Sequence, residues 1–253
     1  MIYVCSDIHG QYELYKKMLE KINFSDNDTL YILGDAIDRG PNSMSLLLDI
    51  MKRKNVVLLL GNHELMMINY LKMIDKRTDC WFLSANKGKQ TFKEFEALSK
   101  NEQDDIIDFL SKLPLQVQIE LNNKKFLLSH SFYIQDAGTI SNWQDVHYYV
   151  AFDVVWASPW RKQEDFVPKR AYYMDDTIHV IGHVPVLSIL EMWNAGKPVI
   201  EPYISERIIN IDLGCAYMEE NFKGKPKDLA LGCINLNDFA QDKHTFIKIT
   251  KET

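Results

Sequence analysis

Cysteine is scarce and scattered in this chain. The four cysteines among its 253 residues, Cys5, Cys80, Cys215 and Cys233, form no C-x-x-C pair, which argues against a thiolate metal site or dithiol redox motif and leaves reduced core thiols. Positive charge is also short. With 29 Lys and Arg against 35 Asp and Glu, the net charge is −6, so the chain lacks the basic footprint of a nonspecific nucleic-acid binder. No apolar run reaches the length of a membrane span, and no repeat, low-complexity tract or interdomain linker interrupts the sequence. Met1 leads into the first apolar run without a charged leader, signal core or cleavage site, so the expected location is the cytoplasm. What remains is ordinary globular material: 46% hydrophobic and 25% charged residues supply a sizeable core. One domain over residues 1–253 is expected, because the motifs below are spread across both halves. Nothing in the composition bears on oligomeric state.

Three acidic, glycine-punctuated turns stand out: Ser6-Asp7-Ile8-His9-Gly10, Gly34-Asp35-Ala36-Ile37-Asp38-Arg39-Gly40 and Gly61-Asn62-His63-Glu64. Each follows a short apolar run, Ile2-Tyr3-Val4-Cys5, Leu30-Tyr31-Ile32-Leu33 or Val56-Val57-Leu58-Leu59-Leu60, of the kind that forms a strand buried on both faces. Helix-length stretches separate them, so the order is strand, turn, helix, repeated. Right-handed crossovers then bring the three carboxyl ends to one edge of an α/β sheet, where such folds hold their ligands. Asp7, His9, Asp35, Asp38, Asn62 and His63 converge there. Their oxygen and imidazole donors suit Mn, Fe or Zn rather than Cu(I) or an iron–sulfur cluster.

These turns resemble the G-D-x-H-G, G-D-x-x-D-R-G and G-N-H-E signatures of the PPP-type metallophosphoesterases, the family of serine/threonine protein phosphatases that also includes bacterial diadenosine tetraphosphatases. Ile181-Gly182-His183-Val184-Pro185 resembles the family's G-H-T-P element, and Asn210-Ile211-Asp212-Leu213-Gly214 its terminal N-I-D-x-G. The resemblance implies an α/β fold in which a two-sheet β-sandwich is flanked by helices in four αββα layers, with a small helical cap inserted at about residues 78–113. It also implies two divalent metal ions, Mn(II) or Fe(II/III) with Zn(II) as a further candidate. Asp35 would bridge them, Asp7 and His9 would complete one metal site, and Asn62, His130 and His183 the other. His63 would act as general acid, with Asp38 holding its other nitrogen and Arg39 offering a planar fork to the phosphoryl group. Glu64 is expected to support the turn.

Elsewhere the chain reads less directly. Residues 11–22 and 43–51 have helical spacing, a further helix runs from Asn62 to about Asp75, and residues 80–113 read as helices with no fourth strand. Residues 117–121 and 125–128 flank Asn122-Asn123 as a β-hairpin that ends at Ser129-His130-Ser131, where His130 takes a ligand position. The family's H-G-G or H-A-G is replaced here by Ser131 and Phe132. A helix is expected over residues 145–152, followed by Val154-Val155-Trp156. Arg161 stands loosely where relatives carry a second phosphate-contacting arginine, and Arg170 is its rival. Residues 177–181 form a strand in which His179 is structural and after which His183 is a ligand. Short strands at 189–192, 199–204, 207–213, 229–236 and 246–249 are expected to supply the second sheet.

Phosphate esters resist hydrolysis because the nucleophile meets an anion and the leaving alkoxide is poor. Two metals about 3.5–4 Å apart address both difficulties. The leading expectation is a serine/threonine protein phosphatase acting on phosphomonoesters by direct attack of metal-bound hydroxide. A symmetrical diadenosine tetraphosphate hydrolase is the alternative. A silent binder of phosphorylated partners is a third, opposed by the complete ligand set. The expected partner is a phosphorylated protein or small phosphoester, with no nucleic acid and no membrane.

Overall fold

The computed structural model describes residues 1–134, 137–158, 176–192, 200–220 and 227–252. In chain order the elements are β1 (Ile2–Cys5), α1 (Tyr12–Lys21), β2 (Thr29–Ile32), α2 (Ser43–Lys52), β3 (Val56–Leu58), α3 (Asn62–Lys72), α4 (Gly88–Glu96) and α5 (Lys100–Ser111). They continue with β4 (Gln116–Leu121), β5 (Lys124–Ser129), α6 (Tyr148–Trp156), β6 (Thr177–Ile181), α7 (Val186–Met192), β7 (Tyr203–Ile204), β8 (Ile208–Asn210), β9 (Leu231–Asn235), α8 (Leu236–Phe239) and β10 (Phe246–Ile249).

Two mixed five-stranded sheets result, ordered β10-β9-β1-β2-β3 and β4-β5-β6-β8-β7. In the first, β1, β2 and β3 run parallel; in the second, β5, β6 and β8 do. The side-chain period of two sorts the strand residues between layers. Val4 of β1, Phe126 and Leu128 of β5, Val180 of β6, Ile209 of β8 and Ile234 of β9 share one buried cluster between the sheets. Tyr3 and Cys5, on the opposite face of β1, join the larger cluster that the helices cover, with Leu14, Met18, Leu46 and Ile50 of α1 and α2. Leu127 turns instead to a third cluster with Phe132, Tyr133 and Ala157. The chain is therefore an α/β sandwich of two sheets with flanking helices, as expected. No helix among the described residues is long and apolar enough to cross a membrane.

Three details differ from the sequence expectation. β9 and β10 do not build the second sheet; β9 pairs antiparallel with β1 and extends the first. Residues 189–192 lie in α7 rather than a strand, because Pro185 and the Asp212 carbonyl, which accepts the Val186 N–H at 2.9 Å, start a helix there. Val154, Val155 and Trp156 complete α6, and two of them, Val154 and Val155, are buried on its core face. Arg161 and Arg170 lie outside the described residues.

The candidate metal and phosphoryl site

Every sequence-nominated residue that the structure describes lies just past the carboxyl end of a parallel strand. Asp7 and His9 follow β1, Asp35, Asp38 and Arg39 follow β2, Asn62 and His63 open α3 after β3, His130 follows β5 and His183 follows β6. The loops are bent hard to do this. Asp7, His9, Asp35, Asp38, Arg39 and His183 all have positive φ, between 49° and 69°. Non-glycine residues in the left-handed region are costly and gather at functional sites, where their surroundings hold them.

Asp35 is the centre. Its Oδ2 lies 3.5 Å from His9 Nε2 and 3.9 Å from His63 Nε2, while its Oδ1 lies 3.5 Å from His130 Nε2. His130 Nε2 is in turn 2.9 Å from Asn62 Oδ1 and 3.2 Å from His183 Nδ1. Two groups of donors able to hold a cation follow, His9 with Asp35 and His63, and His130 with Asp35 and His183; Asp35 is common to both. Asp7 is buried beside them, its Oδ2 accepting the Ser6 hydroxyl and the His183 backbone N–H.

Two tautomers are settled by carbonyl partners. His9 Nδ1 is 2.9 Å from the Ile37 carbonyl and His130 Nδ1 is 2.7 Å from the Leu33 carbonyl. A carbonyl only accepts, so both Nδ1 atoms carry the hydrogen and both Nε2 lone pairs face Asp35. This is how a metal-binding imidazole is usually oriented. The donor set thus fits divalent cations of the Mn, Fe or Zn type.

Electrostatics point the same way. Burial, and then the charge of Asp7, raises the Asp35 carboxyl well above its usual value; burial also raises Asp7 and Asp212. Burial lowers His9 and His63. Clustered carboxylates and neutral imidazoles with this bias are stabilised by a bound cation.

The remaining residues flank this centre. His63 Nδ1 sits 2.6 Å from Asp38 Oδ2, and both side chains are fully buried. Burial pushes Asp38 up to about 7, and at this distance the pair holds a proton between the two atoms. Among the described residues His63 Nε2 has no hydrogen-bond partner, and it lies 3.9 Å from Asp35 Oδ2. Arg39 Nη1 donates to His9 Nε2 at 3.2 Å, and its guanidinium lies 5.8 Å from the Tyr217 ring centroid. Glu64 braces the turn: it accepts the backbone N–H groups of Asp35, Ala36, Gly61 and Ile37 at 2.8, 2.8, 3.1 and 3.4 Å.

Sequence reasoning missed three residues here. Trp81, in the segment expected to be helical, carries no signal of its own beyond apolar bulk, yet it donates its indole N–H to Asp38. Tyr217 carried no signal. Asp212 did, since it is the acidic residue of the Asn210-Ile211-Asp212-Leu213-Gly214 element, yet it was given no role; its Oδ1 accepts the Gly214 N–H at 2.9 Å. His179 is structural, buried against the Tyr133 ring.

A calcineurin-like phosphoesterase family model matches residues 1–213 of the chain. The chain belongs to that family. The relatives that it resembles in sequence carry the names of both PPP types. A symmetrical bis(5'-nucleosyl)-tetraphosphatase from Wigglesworthia glossinidia brevipalpis is 37% identical over 143 residues, covering 56% of this chain and 46% of that one. Serine/threonine-protein phosphatase 2 from Escherichia coli K12 is 32% identical over 136 residues, covering 52% of this chain and 58% of that one. The match thus spans about half the length of these relatives. Among solved structures, a serine/threonine phosphatase from Saccharomyces cerevisiae superimposes with a TM-score of 0.52 at 15% identity, over 98% of this chain and 79% of the other. That likeness concerns the fold alone.

Proposed function

We propose that this calcineurin-like phosphoesterase is a two-metal hydrolase of phosphomonoesters, with phosphoserine and phosphothreonine side chains as its substrate class. The observation that carries the two-metal reading is the placement of Asp35, whose two oxygens face separate donor sets, His9 on one side and His130, Asn62 and His183 on the other. Asp7 with His9 and Asp35 would hold one ion, and Asp35 with Asn62, His130 and His183 the second; Mn(II) and Fe(II/III) suit the mixed nitrogen and oxygen donors, as does Zn(II). When bound, such ions supply Lewis acidity toward the phosphoryl oxygens and a nucleophile at neutral pH.

The chain's own residues do the rest. Arg39, steadied by Tyr217, offers its guanidinium to the phosphoryl oxygens. A phosphate anion opposite His63 Nε2 favours the imidazolium, whose other proton Asp38 holds. As the bond to the leaving oxygen breaks and a hydroxide oxygen, its proton already lost to solvent, bonds to phosphorus, the Nε2 proton passes to the departing alkoxide, which leaves as the alcohol. No phosphoenzyme forms. Arg161 or Arg170 would add a second contact to phosphate.

A second reading, symmetrical hydrolysis of diadenosine tetraphosphate, is favoured by one observation. A cavity of about 640 Å³ is lined by Phe82, Leu83, Lys87, Lys89 and Lys93, and its Phe82 ring stacks on Trp81. An aromatic ring beside three lysines suits a base and its phosphates. Metal-free protein reloaded with Mn(II) and assayed on a phosphopeptide, diadenosine tetraphosphate and p-nitrophenyl phosphate decides between them. Peptide turnover with little dinucleotide cleavage supports the first reading, the reverse installs the second, and silence on all three with retained phosphate binding leaves a binding protein.

A further inference from the structure

The Asp38 Oδ2 atom that faces His63 Nδ1 at 2.6 Å also accepts the Trp81 Nε1–H at 2.8 Å. Trp81 comes from the segment between α3 and α4, 43 residues along the chain, and is fully buried. Its place is set on all sides. The ring stacks on Phe82 with centroids 5.2 Å apart, packs against Tyr70 at 5.7 Å and meets Phe92 edge-on at 6.1 Å. A side chain at Gly88, the first residue of α4, would stand 2.5 Å from both Cδ1 and Nε1 of the indole, so that helix start must be glycine for the ring to fit. The carboxylate it reaches is on strained backbone, since Asp38 has φ 69°, and that turn is braced by the Ser43 hydroxyl, which accepts the Asp38 N–H at 2.9 Å, and by the Gly40 N–H, which donates to the Asp38 carbonyl at 2.7 Å.

An indole N–H is a donor only and does not titrate in the working range. It therefore makes a different contribution from that of a second carboxylate or hydroxyl. Placed on Oδ2, it selects one rotamer of Asp38 and keeps that oxygen in line with His63, which fixes the direction of His63 Nε2.

We propose that Trp81 is a positioning residue for hydrolysis, acting through Asp38 to aim the His63 proton at the leaving oxygen. The role rests on the general-acid reading of His63 given above. Its consequence is selective: an aimed proton matters for a poor leaving group such as an alkoxide and matters little for p-nitrophenolate, which departs without one.

The test is the leaving-group dependence of kcat/KM for Mn(II)-loaded wild type, Trp81→Phe, His63→Asn and the double variant, over aryl and alkyl phosphates. Phenylalanine keeps the aromatic packing and removes only the N–H. Trp81→Phe should lose roughly tenfold on alkyl phosphates and much less on p-nitrophenyl phosphate, with a slope between those of wild type and His63→Asn. The double variant should be no slower than His63→Asn alone. Metal-free protein gives a second readout: of the indole N–H resonances of the chain's five tryptophans, the one that vanishes in Trp81→Phe should shift in Asp38→Asn. Equal losses across all leaving groups, additive losses in the double variant, or an unmoved indole resonance would overturn the assignment. A flat series for His63→Asn would remove the general-acid reading, and this role with it; a steep His63→Asn series beside a wild-type slope for Trp81→Phe would remove the Trp81 role alone.

Discussion

The Glu64 carboxylate accepts the Asp35 backbone N–H at 2.8 Å, so the residue that closes the third motif holds the residue at the centre of the second. The same carboxylate takes the N–H groups of Ala36 and Gly61, and it does so fully buried. Glu64 thus ties the β2 and β3 loops together beneath the candidate metal site, and its hold on the Asp35 N–H supports the left-handed backbone of that residue, φ 54°.

Removing this brace should cost stability and metal together. Glu64→Ala removes the acceptor of four buried N–H donors, those of Asp35, Ala36, Ile37 and Gly61, at about 1–3 kcal/mol each before relaxation. Urea unfolding of the metal-free protein should show a loss of at least about 3 kcal/mol, and Mn(II) affinity should fall. Wild-type stability and affinity in Glu64→Ala would refute the bracing role.

Gly61 illustrates a different constraint. A Cβ there would fall against both the Asp35 Oδ1 and the Asp35 backbone nitrogen, although the Gly61 φ of −103° suits any residue. Space, not backbone freedom, requires glycine. Gly61→Ala should push Asp35 out of line, lowering Mn(II) affinity at least tenfold by titration calorimetry while costing about 1–3 kcal/mol of stability.

Much of this site is legible in sequence because it is local: three turns, each on the end of a buried apolar strand, carry most of the donors, and parallel connections force them to one edge. The hairpin and the His130 and His183 positions follow by the same logic. Contacts between distant segments are not legible in that way. Trp81 has the composition of core filler, and only folding reveals that its N–H meets Asp38. The assignment of β9 and β10 to the first sheet depends on pairing with β1 across more than 200 residues, which hydrophobic pattern does not specify. Residues 189–192 are apolar enough for either state, and their start is set by Asp212, a residue far along the chain.

His179 should make stability depend on acid. Burial lowers its imidazole from 6.5 to about 4. The unfolded chain therefore binds the proton more readily than the folded one between those values, and stability is fully present above about 6.5 and lost as pH falls toward 4. The loss is on the order of 3 kcal/mol. Comparing urea unfolding of wild type and His179→Gln at pH 7 and pH 4.5 should show a larger drop for wild type; equal drops would contradict the burial argument.

The two-metal reading proposed above would make Asp35 a ligand common to both ions. Its most direct test is the metal content of protein dialysed against Mn(II), measured by mass spectrometry for wild type and Asp35→Asn, with circular dichroism to confirm that both are folded. Two ions per wild-type chain are expected, with loss of tight binding at both positions in the variant. Equal metal content in the two proteins would contradict that reading.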